Sequence, residues 1–312
     1  MNLPNILIAG NCVTDLIFKG KVLDKRAVGN RLSLAFGGKY VVDELYQCNG
    51  GGGANTAVSL ARQGFNTYLW ARLGNDAFGQ QALINLEKEK INTSLITFDA
   101  KRTPLSAVLL TKNGERTIIT YRSNADQLEF TERVKKLMKN CQWFTLFSLA
   151  YCPKENKIAF FKEAKKNGQK VFLSLHGKEY YKGYDYLKEY LTYTDALHLN
   201  AHELANIFKQ KVENLNLLKT NFSIKLNIPL LLVSYDVKGG FAYTKDRIVH
   251  QPIFKPKKLV DTTGAGDAFA SGFLGEYIKT CSLEKALIFA AQNAKSEIEV
   301  LGAQNGLLRK KN

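Results

Sequence analysis

The sequence predicts an α/β fold with a small antiparallel sheet added to it, and three observations carry that reading. Apolar runs of strand texture alternate with helical segments along most of the 312 residues. A glycine-rich turn leads into a helix at two places. Two β-rich stretches interrupt the alternation. Asn5–Gly10 (NILIAG) is a short apolar run ending in glycine, the texture of a buried strand. In residues 50–64 (GGGGANTAVSLARQG), Ala54, Ala57, Val58 and Ala61 fall on one helical face and Gly64 can close the helix. NTYLWARLG then returns as a strand. Residues 105–122 hold two β-rich runs around Asn113 and Gly114, a tight-hairpin signal, and residues 32–47 are also β-rich. From Val134 onward WFTLFSLA, KVFLSLH, ALHLN and PLLLVSY read as strands between lysine-rich helices such as residues 155–167. GGFAYTKDRIVH reads as a further hairpin. KKLVD reads as a strand end before a tight turn and a helix with Ala268, Phe269, Gly272 and Phe273 facing inward, and the last helix runs to about Val300.

Composition narrows the classes. Hydrophobic residues make up 45% and charged residues 23%, enough for a large core and too little bias for disorder, save at residues 309–312. The net charge is +16, but the lysines are scattered and no basic tract interleaves with aromatics, so a solvated surface is expected rather than a nucleic-acid partner. The five cysteines form no C-x-x-C pair. His176, His198, His202 and His250 form no metal-ligand spacing, which argues against structural zinc and suits a reducing cytosol. The start lacks a basic leader and no apolar run is long enough to span a bilayer, so a cytoplasmic protein without a membrane partner is expected.

Three phosphate-binding patterns can be tested. A Walker A loop requires G-K-[ST], which does not occur, and G-x-G-x-x-G fails at Gly50, Gly51 and Gly264. The remaining pattern is a helix amino terminus used as an anion hole. Gly264 and Gly266 let a phosphate approach bare backbone N–H groups, and Asp267 lies in the first turn, where its ionised form is favoured. A glycine turn with Asp267 as a capping carboxylate is the plain structural alternative.

The whole run DTTGAGDAFASGF resembles the C-terminal signature of the ribokinase-like (PfkB) carbohydrate kinases. GGGGANTAVSLARQG is similar to that family's N-terminal signature, ARLGNDAFGQ to the segment after it, and GNCVTD to its substrate-binding strand end. The resemblance covers nearly the whole chain. It implies a Rossmann-like three-layer α/β/α core with a small β-sheet lid, as one domain over 1–312 with lid segments near 16–20, 32–48 and 103–123. It implies Asp267 as catalytic base and Gly264, Ala265 and Gly266 as anion hole. Asp15, expected at the end of the first strand, matches an aspartate that accepts hydrogen bonds from sugar hydroxyls, a task suited to a group with only acceptors. Gly51, Gly52 and Asn55 match sugar-contacting positions, with Gly52 standing where ribokinases proper carry lysine. Asn200 and Glu203 match an N-x-x-E motif that organises water around Mg2+ and phosphate. Ser234 and Gly239, with Asn200 and Gly266, match nucleotide contacts, and Asp236 stands where the family has glycine. Asp261, Thr263 and Gly302 match a monovalent-cation site, for K+.

The implied activity is transfer of the γ-phosphoryl group of ATP to a hydroxyl of a sugar or sugar-like substrate of the ribose, fructose or 2-keto-3-deoxygluconate type. Arg122 is a candidate for recognising an acid group, or else a surface residue of the lid. A nucleoside kinase of the adenosine or inosine type is the alternative within the family. A non-catalytic sugar- or nucleic-acid-binding protein is the remote one. A homodimer through the lid is expected, because exposed strand edges are normally covered.

Overall fold

The computed structural model describes residues 3–29, 31–147, 149–174 and 179–309. His176 and residues 310–312, named above, lie outside them. The chain begins with β1 (Asn5–Gly10), β2 (Val13–Lys19), the short α1 (Lys21–Asp24) and the two-residue strands β3 (Ala27–Val28) and β4 (Arg31–Leu32). It continues through β5 (Glu44–Gly50), α2 (Gly52–Arg62), β6 (Asn66–Gly74), α3 (Ala77–Lys88), β7 (Asn92–Ala100), β8 (Leu105–Leu110) and β9 (Arg116–Tyr121). Next come α4 (Glu132–Met138), β10 (Trp143–Phe147), α5 (Lys154–Lys166), β11 (Lys170–Ser174), α6 (Tyr184–Leu191), β12 (Ala196–Asn200), α7 (Ala201–Ile207) and α8 (Phe222–Leu226). The remainder is β13 (Leu230–Tyr235), β14 (Gly239–Thr244), β15 (Ile248–Gln251), α9 (Ala265–Thr280) and α10 (Leu283–Ile298).

Among the described residues, nine strands form the main sheet in the order β15-β14-β13-β12-β11-β10-β1-β6-β7. It is parallel from β13 to β7 and antiparallel at β14 and β15. Along β1, Ile6 and Ile8 face a core shared with α2, α3, α9 and α10. Leu7 and Ala9 face a core shared with α4 to α8. A sheet buried on both faces explains why its strands read as unbroken apolar runs rather than as alternating ones. The chain builds outward from β1 to β7, then restarts at β10 on the other side. The carboxyl ends of β1 and β10 therefore flank a topological switch point, where open α/β sheets place ligands.

A separate four-stranded sheet, β5-β2-β8-β9, stands beside it, and it is mixed rather than antiparallel as expected, since the long connection through α2 and α3 brings β8 in parallel to β2. The β8–β9 hairpin carries Asn113 and Gly114 as expected, but its loop is longer than a two-residue turn. Thr111 N–H still donates to the Glu115 carbonyl, and Gly114 supplies the left-handed residue (φ 82°) that closes a three-residue loop. Three other expectations are corrected. Asp15 lies not at the end of β1 but inside β2, in the small sheet. Of residues 32–48 only the part from Glu44 forms a strand, apart from the brief β4. Residues 33–43 instead turn at Gly37 (φ 70°), where Ala35 N–H donates to the Tyr40 hydroxyl oxygen. KKLVD is not a strand end. β15 is the sheet's edge, and the chain leaves it to run along the end of α10, where Val260 N–H donates to the Ile298 carbonyl.

One close approach seats α2 on β1. A side chain on Gly53 would start 2.5 Å from the Gly10 carbonyl carbon, and one on Gly10 would start 2.5 Å from the Gly53 Cα and 2.7 Å from the Phe147 carbonyl oxygen. Neither position admits a Cβ without parting two backbones. Gly53→Ala is expected to lower Tm by the equivalent of the ~1–3 kcal/mol that overpacking costs, read by circular-dichroism melting. An unchanged Tm would show that the two backbones can separate freely.

Candidate active site

Two helices enter the switch point by their amino ends, and both begin on a left-handed glycine with no side-chain cap. Gly51 (φ 94°) precedes α2 and Gly264 (φ 81°) precedes α9. Asp76, Thr131, Asn200, Asn221 and Ser282 cap α3, α4, α7, α8 and α10 with their side chains, while α1, α5 and α6 also lack a side-chain cap and α6 too begins on a positive-φ glycine, Gly183. A first turn without such a cap leaves N–H groups and a partial positive charge for a ligand. Both glycines are required by crowding as well as by φ. A side chain on Gly51 would start 2.7 Å from the Asn11 carbonyl oxygen, and one on Gly264 would start 2.7 Å from the Ala303 Cβ. Gly266, by contrast, faces open space, room that an anion over the turn 264–266 would occupy.

Asp267 is the third residue of α9, so its carboxylate stands beside that turn. The Asn55 side-chain amide, from the first turn of α2, donates to Asp267 Oδ2 at 2.8 Å. Asp15 faces the same region from the small sheet. It is 7% exposed and stands across from Cys48 on β5 and Ser106 on β8. Its carboxylate lies over Gly50, where a side chain would start 2.2 Å from Asp15 Oδ2. Asp15, Gly51, Gly52, Asn55, Gly264, Ala265, Gly266 and Asp267 thus belong to one place built by α2, α9 and β2.

Asp261, Thr263 and Gly302 are also brought together. Asp261 is buried, and its two oxygens accept from Thr263 N–H at 2.9 Å and from Gly302 N–H at 3.1 Å. The Thr263 hydroxyl oxygen is buried and has no hydrogen-bond partner among the described residues. An orphaned oxygen next to a carboxylate fits a hard monovalent cation, which takes oxygen ligands.

The nucleotide candidates lie along the carboxyl edge of the sheet. Asn200 pairs with Ser234, and Tyr235 pairs with Gly239. The Phe269 ring of α9 packs where Gly240 has no side chain, since a Cβ there would start 2.2 Å from it. Asn200 and Glu203 form a capping box at the start of α7: Glu203 N–H donates to Asn200 Oδ1 at 2.8 Å and Asn200 N–H to Glu203 Oε2 at 2.9 Å. This pair therefore serves the helix first. No group of three or more His, Cys, Asp or Glu suited to a metal occurs among the described residues. Asp236 stands on an exposed turn (φ 34°), 3.5 Å from His202. Arg122 lies just past β9, and its charge faces the buried Asp126.

A sequence model of the pfkB family of carbohydrate kinases matches residues 26–310. The chain belongs to the pfkB family of carbohydrate kinases. The kinase is a phosphotransferase with an alcohol group as acceptor. It is 27% identical, over 85% of its length, to a bifunctional ribokinase/ribose-5-phosphate isomerase A of Fructilactobacillus sanfranciscensis, of which it spans 49%. It is 28% identical to a nucleoside kinase of Methanocaldococcus jannaschii over 83% of its own length and 82% of the relative's. Its fold is that of an Arabidopsis thaliana ribokinase solved with ribose and ATP, with a TM-score of 0.80 at 23% identity over 99% of this chain and 96% of that one. No helix among its described residues is long and apolar enough to cross a membrane.

Burial sets the electrostatics of the kinase's site. It pushes the Asp15 carboxyl up to about 6, with the Ser106 hydroxyl opposing the rise and the Asp261 charge adding to it. Glu297, at the end of α10, is fully buried. Its pKa is pushed up to about 8, chiefly by burial. The Gly306 N–H faces it without a well-formed bond and with Arg62 opposes the rise, while Asp261 and Asp267 add to it. Cys48 rises to about 11, first through burial and then through Asp15, Asp261 and Glu297. Four residues here escaped sequence reasoning. Arg116 on β9 donates to the Thr262 hydroxyl, joining the small sheet to the turn before α9. His198 bridges the hydroxyls of Ser174 (3.1 Å) and Ser234 (3.2 Å). Cys48 packs against Gly302, and Gln304 donates to Asn55. Each meets its partner across the tertiary structure, so no local pattern marks it.

Proposed function

We propose that Asp267 is the general base and that the 264–267 turn holds the transferring phosphoryl group of ATP, with Asp15 accepting hydrogen bonds from hydroxyls of a sugar. The observation that carries this reading is the convergence of two uncapped helix amino ends on one carboxylate, itself held by Asn55. Asp267 takes the proton as the sugar oxygen bonds to the γ-phosphorus and the bond from that phosphorus to the β-phosphate oxygen breaks. The backbone N–H groups of the α9 turn carry the charge of the transferring group, a task of positioning and charge stabilisation. Bound Mg2+ would neutralise phosphate charge, with Glu203 reaching it through water. Asp261, Thr263 and Gly302 would hold K+ beside the anion hole. Asn200, Ser234 and Gly239 would receive the nucleotide along the sheet edge.

The acceptor is a sugar or sugar-like alcohol. The inner face of the small sheet supports this: it offers the buried Asp15 with Ser106, whose hydroxyl lies 3.3 Å from that of Thr120. The similarity to a nucleoside kinase supports the second reading within the family. Assays with ribose, fructose, 2-keto-3-deoxygluconate, adenosine and inosine separate them, and turnover of the nucleosides alone would overturn the sugar reading.

We also propose that the kinase is a homodimer through the outer face of the small sheet. That face presents Phe18, Leu45, Leu109, Ile119 and Tyr121, with Leu45 61% and Ile119 64% exposed. Sedimentation is expected to read a dimer for the wild type and a monomer for Leu45→Glu/Ile119→Glu. A monomeric wild type at micromolar concentration refutes the interface.

Asp267→Asn keeps the size and the hydrogen bonding of the side chain but cannot take a proton. With saturating substrates kcat is expected to fall about 100-fold or more. Asn also caps helices well, so if Asp267 only caps, activity and Tm both stay near wild type. For Asp15 the sign follows from its raised pKa. The ionised carboxylate accepts sugar hydroxyls at both oxygens and more strongly than its protonated form, so sugar affinity falls as the pH drops through about 6. Calorimetry should show that fall in the wild type, and weak, pH-independent binding in Asp15→Asn, which loses about 1.5–3 kcal/mol per charged hydrogen bond. Equal affinity in the two proteins would reduce Asp15 to a strand residue.

A further inference from the structure

We propose that Gln304 is a positioning residue for the catalytic base, acting through the amide of Asn55; the inference rests on Asp267 being that base. The Gln304 amide donates to Asn55 Oδ1 at 3.0 Å, and the Asn55 amide donates to Asp267 Oδ2 at 2.8 Å. An asparagine amide has two orientations of nearly the same shape, with oxygen and nitrogen exchanged. In one, Asn55 gives Asp267 an N–H. In the other, it would set its carbonyl oxygen against the carboxylate. Gln304 selects the first by occupying the oxygen end of Asn55 with a donor. The chain Gln304–Asn55–Asp267 therefore points every donor toward an ionised base. The reverse direction suits only a protonated Asp267.

The loop that carries Gln304 is held firmly enough for this task. Arg62, from the last turn of α2, donates to the carbonyls of Gln304 and Leu307, and it is itself held by both oxygens of Glu89. Gly302 N–H is bound to Asp261, and Leu308 N–H donates to Asn293 Oδ1 at 2.8 Å. The Asn293 amide in turn donates to the Ala268 carbonyl at 2.7 Å, one residue past the base. The same loop thus reaches the first turn of α9 from two sides. With its oxygen taken by Gln304 and one N–H by Asp267, Asn55 keeps one N–H for an acceptor of the bound sugar.

The test compares Gln304→Met and Gln304→Glu with Asp267→Asn in the full chain. Methionine removes the donor. A glutamate at this position only accepts while ionised, so it would draw the Asn55 N–H groups to itself and turn the Asn55 oxygen on Asp267. Expected are a kcat lowered about tenfold in Gln304→Met, the size of one net hydrogen bond, and a larger loss in Gln304→Glu. The acid limb of the kcat–pH profile should move to higher pH in Gln304→Glu, while the KM for ATP stays within about twofold. A merely structural loop contact would lower Tm without moving the pH profile. If both variants keep wild-type kcat and pH profile while Asp267→Asn is strongly impaired, the positioning role is overturned and the base stands. If Asp267→Asn is itself active, the base reading fails and the inference fails with it.

Discussion

The backbones of β1 and α2 meet at Gly10 and Gly53 with no room for a side chain between them. That approach fixes where α2 begins. It sets Gly51 against the Asn11 carbonyl and puts Asn55 one turn deeper, in reach of α9. The amino end of α9 is fixed in turn by the Phe269 ring over Gly240 and by Ala303 against Gly264. Two helices are thereby aimed at one point from different parts of the chain. The geometry of the candidate site is a result of where backbones can touch, before any charged group is considered.

Placing several carboxyl groups near that point creates a problem of like charges. The structure treats each differently. Asp261 spends both oxygens on backbone N–H groups. Asp267 receives the Asn55 amide. Burial holds Glu297 up to about 8, which favours its protonated form. Asp15 is likewise raised by burial, to about 6, on the acid side of neutrality. Donors thus stabilise the charge on Asp261 and Asp267, while burial disfavours it on Asp15 and Glu297.

Much of this was legible in the sequence where the physics is local. Two glycines before an aspartate and an apolar run announce a glycine turn into a helix, and GAGD forms an uncapped one with Gly266 facing open space. The alternation of strands and helices, including the β14–β15 hairpin, follows from apolar runs and turn residues. What escaped notice depends on partners far away in the chain. Asp15 reads as part of the first strand because only Asn11 and Cys12 separate β1 from β2, too short a break to show that the chain changes sheets. KKLVD has strand texture but leaves the sheet at its edge, where no neighbour offers a ladder. N-x-x-E matched a metal-site pattern and forms a capping box, since the same two residues satisfy a helix start. Gln304 had no visible partner, because the Asn55 amide it touches is fixed only by the packing of α2 against α9.

The separation of those partners also bears on how the enzyme acquires activity. Asn55 and Asp267 are 212 residues apart, and Asn55 and Gln304 are 249 apart. Contacts closed over such long loops form late, because chain entropy opposes them until the intervening structure is in place. A refolding intermediate can therefore hold native helices and a collapsed sheet and still lack the Asn55–Asp267 and Asn55–Gln304 contacts. Turnover would report the final docking step, and partly folded chains would be silent toward ATP rather than hydrolysing it.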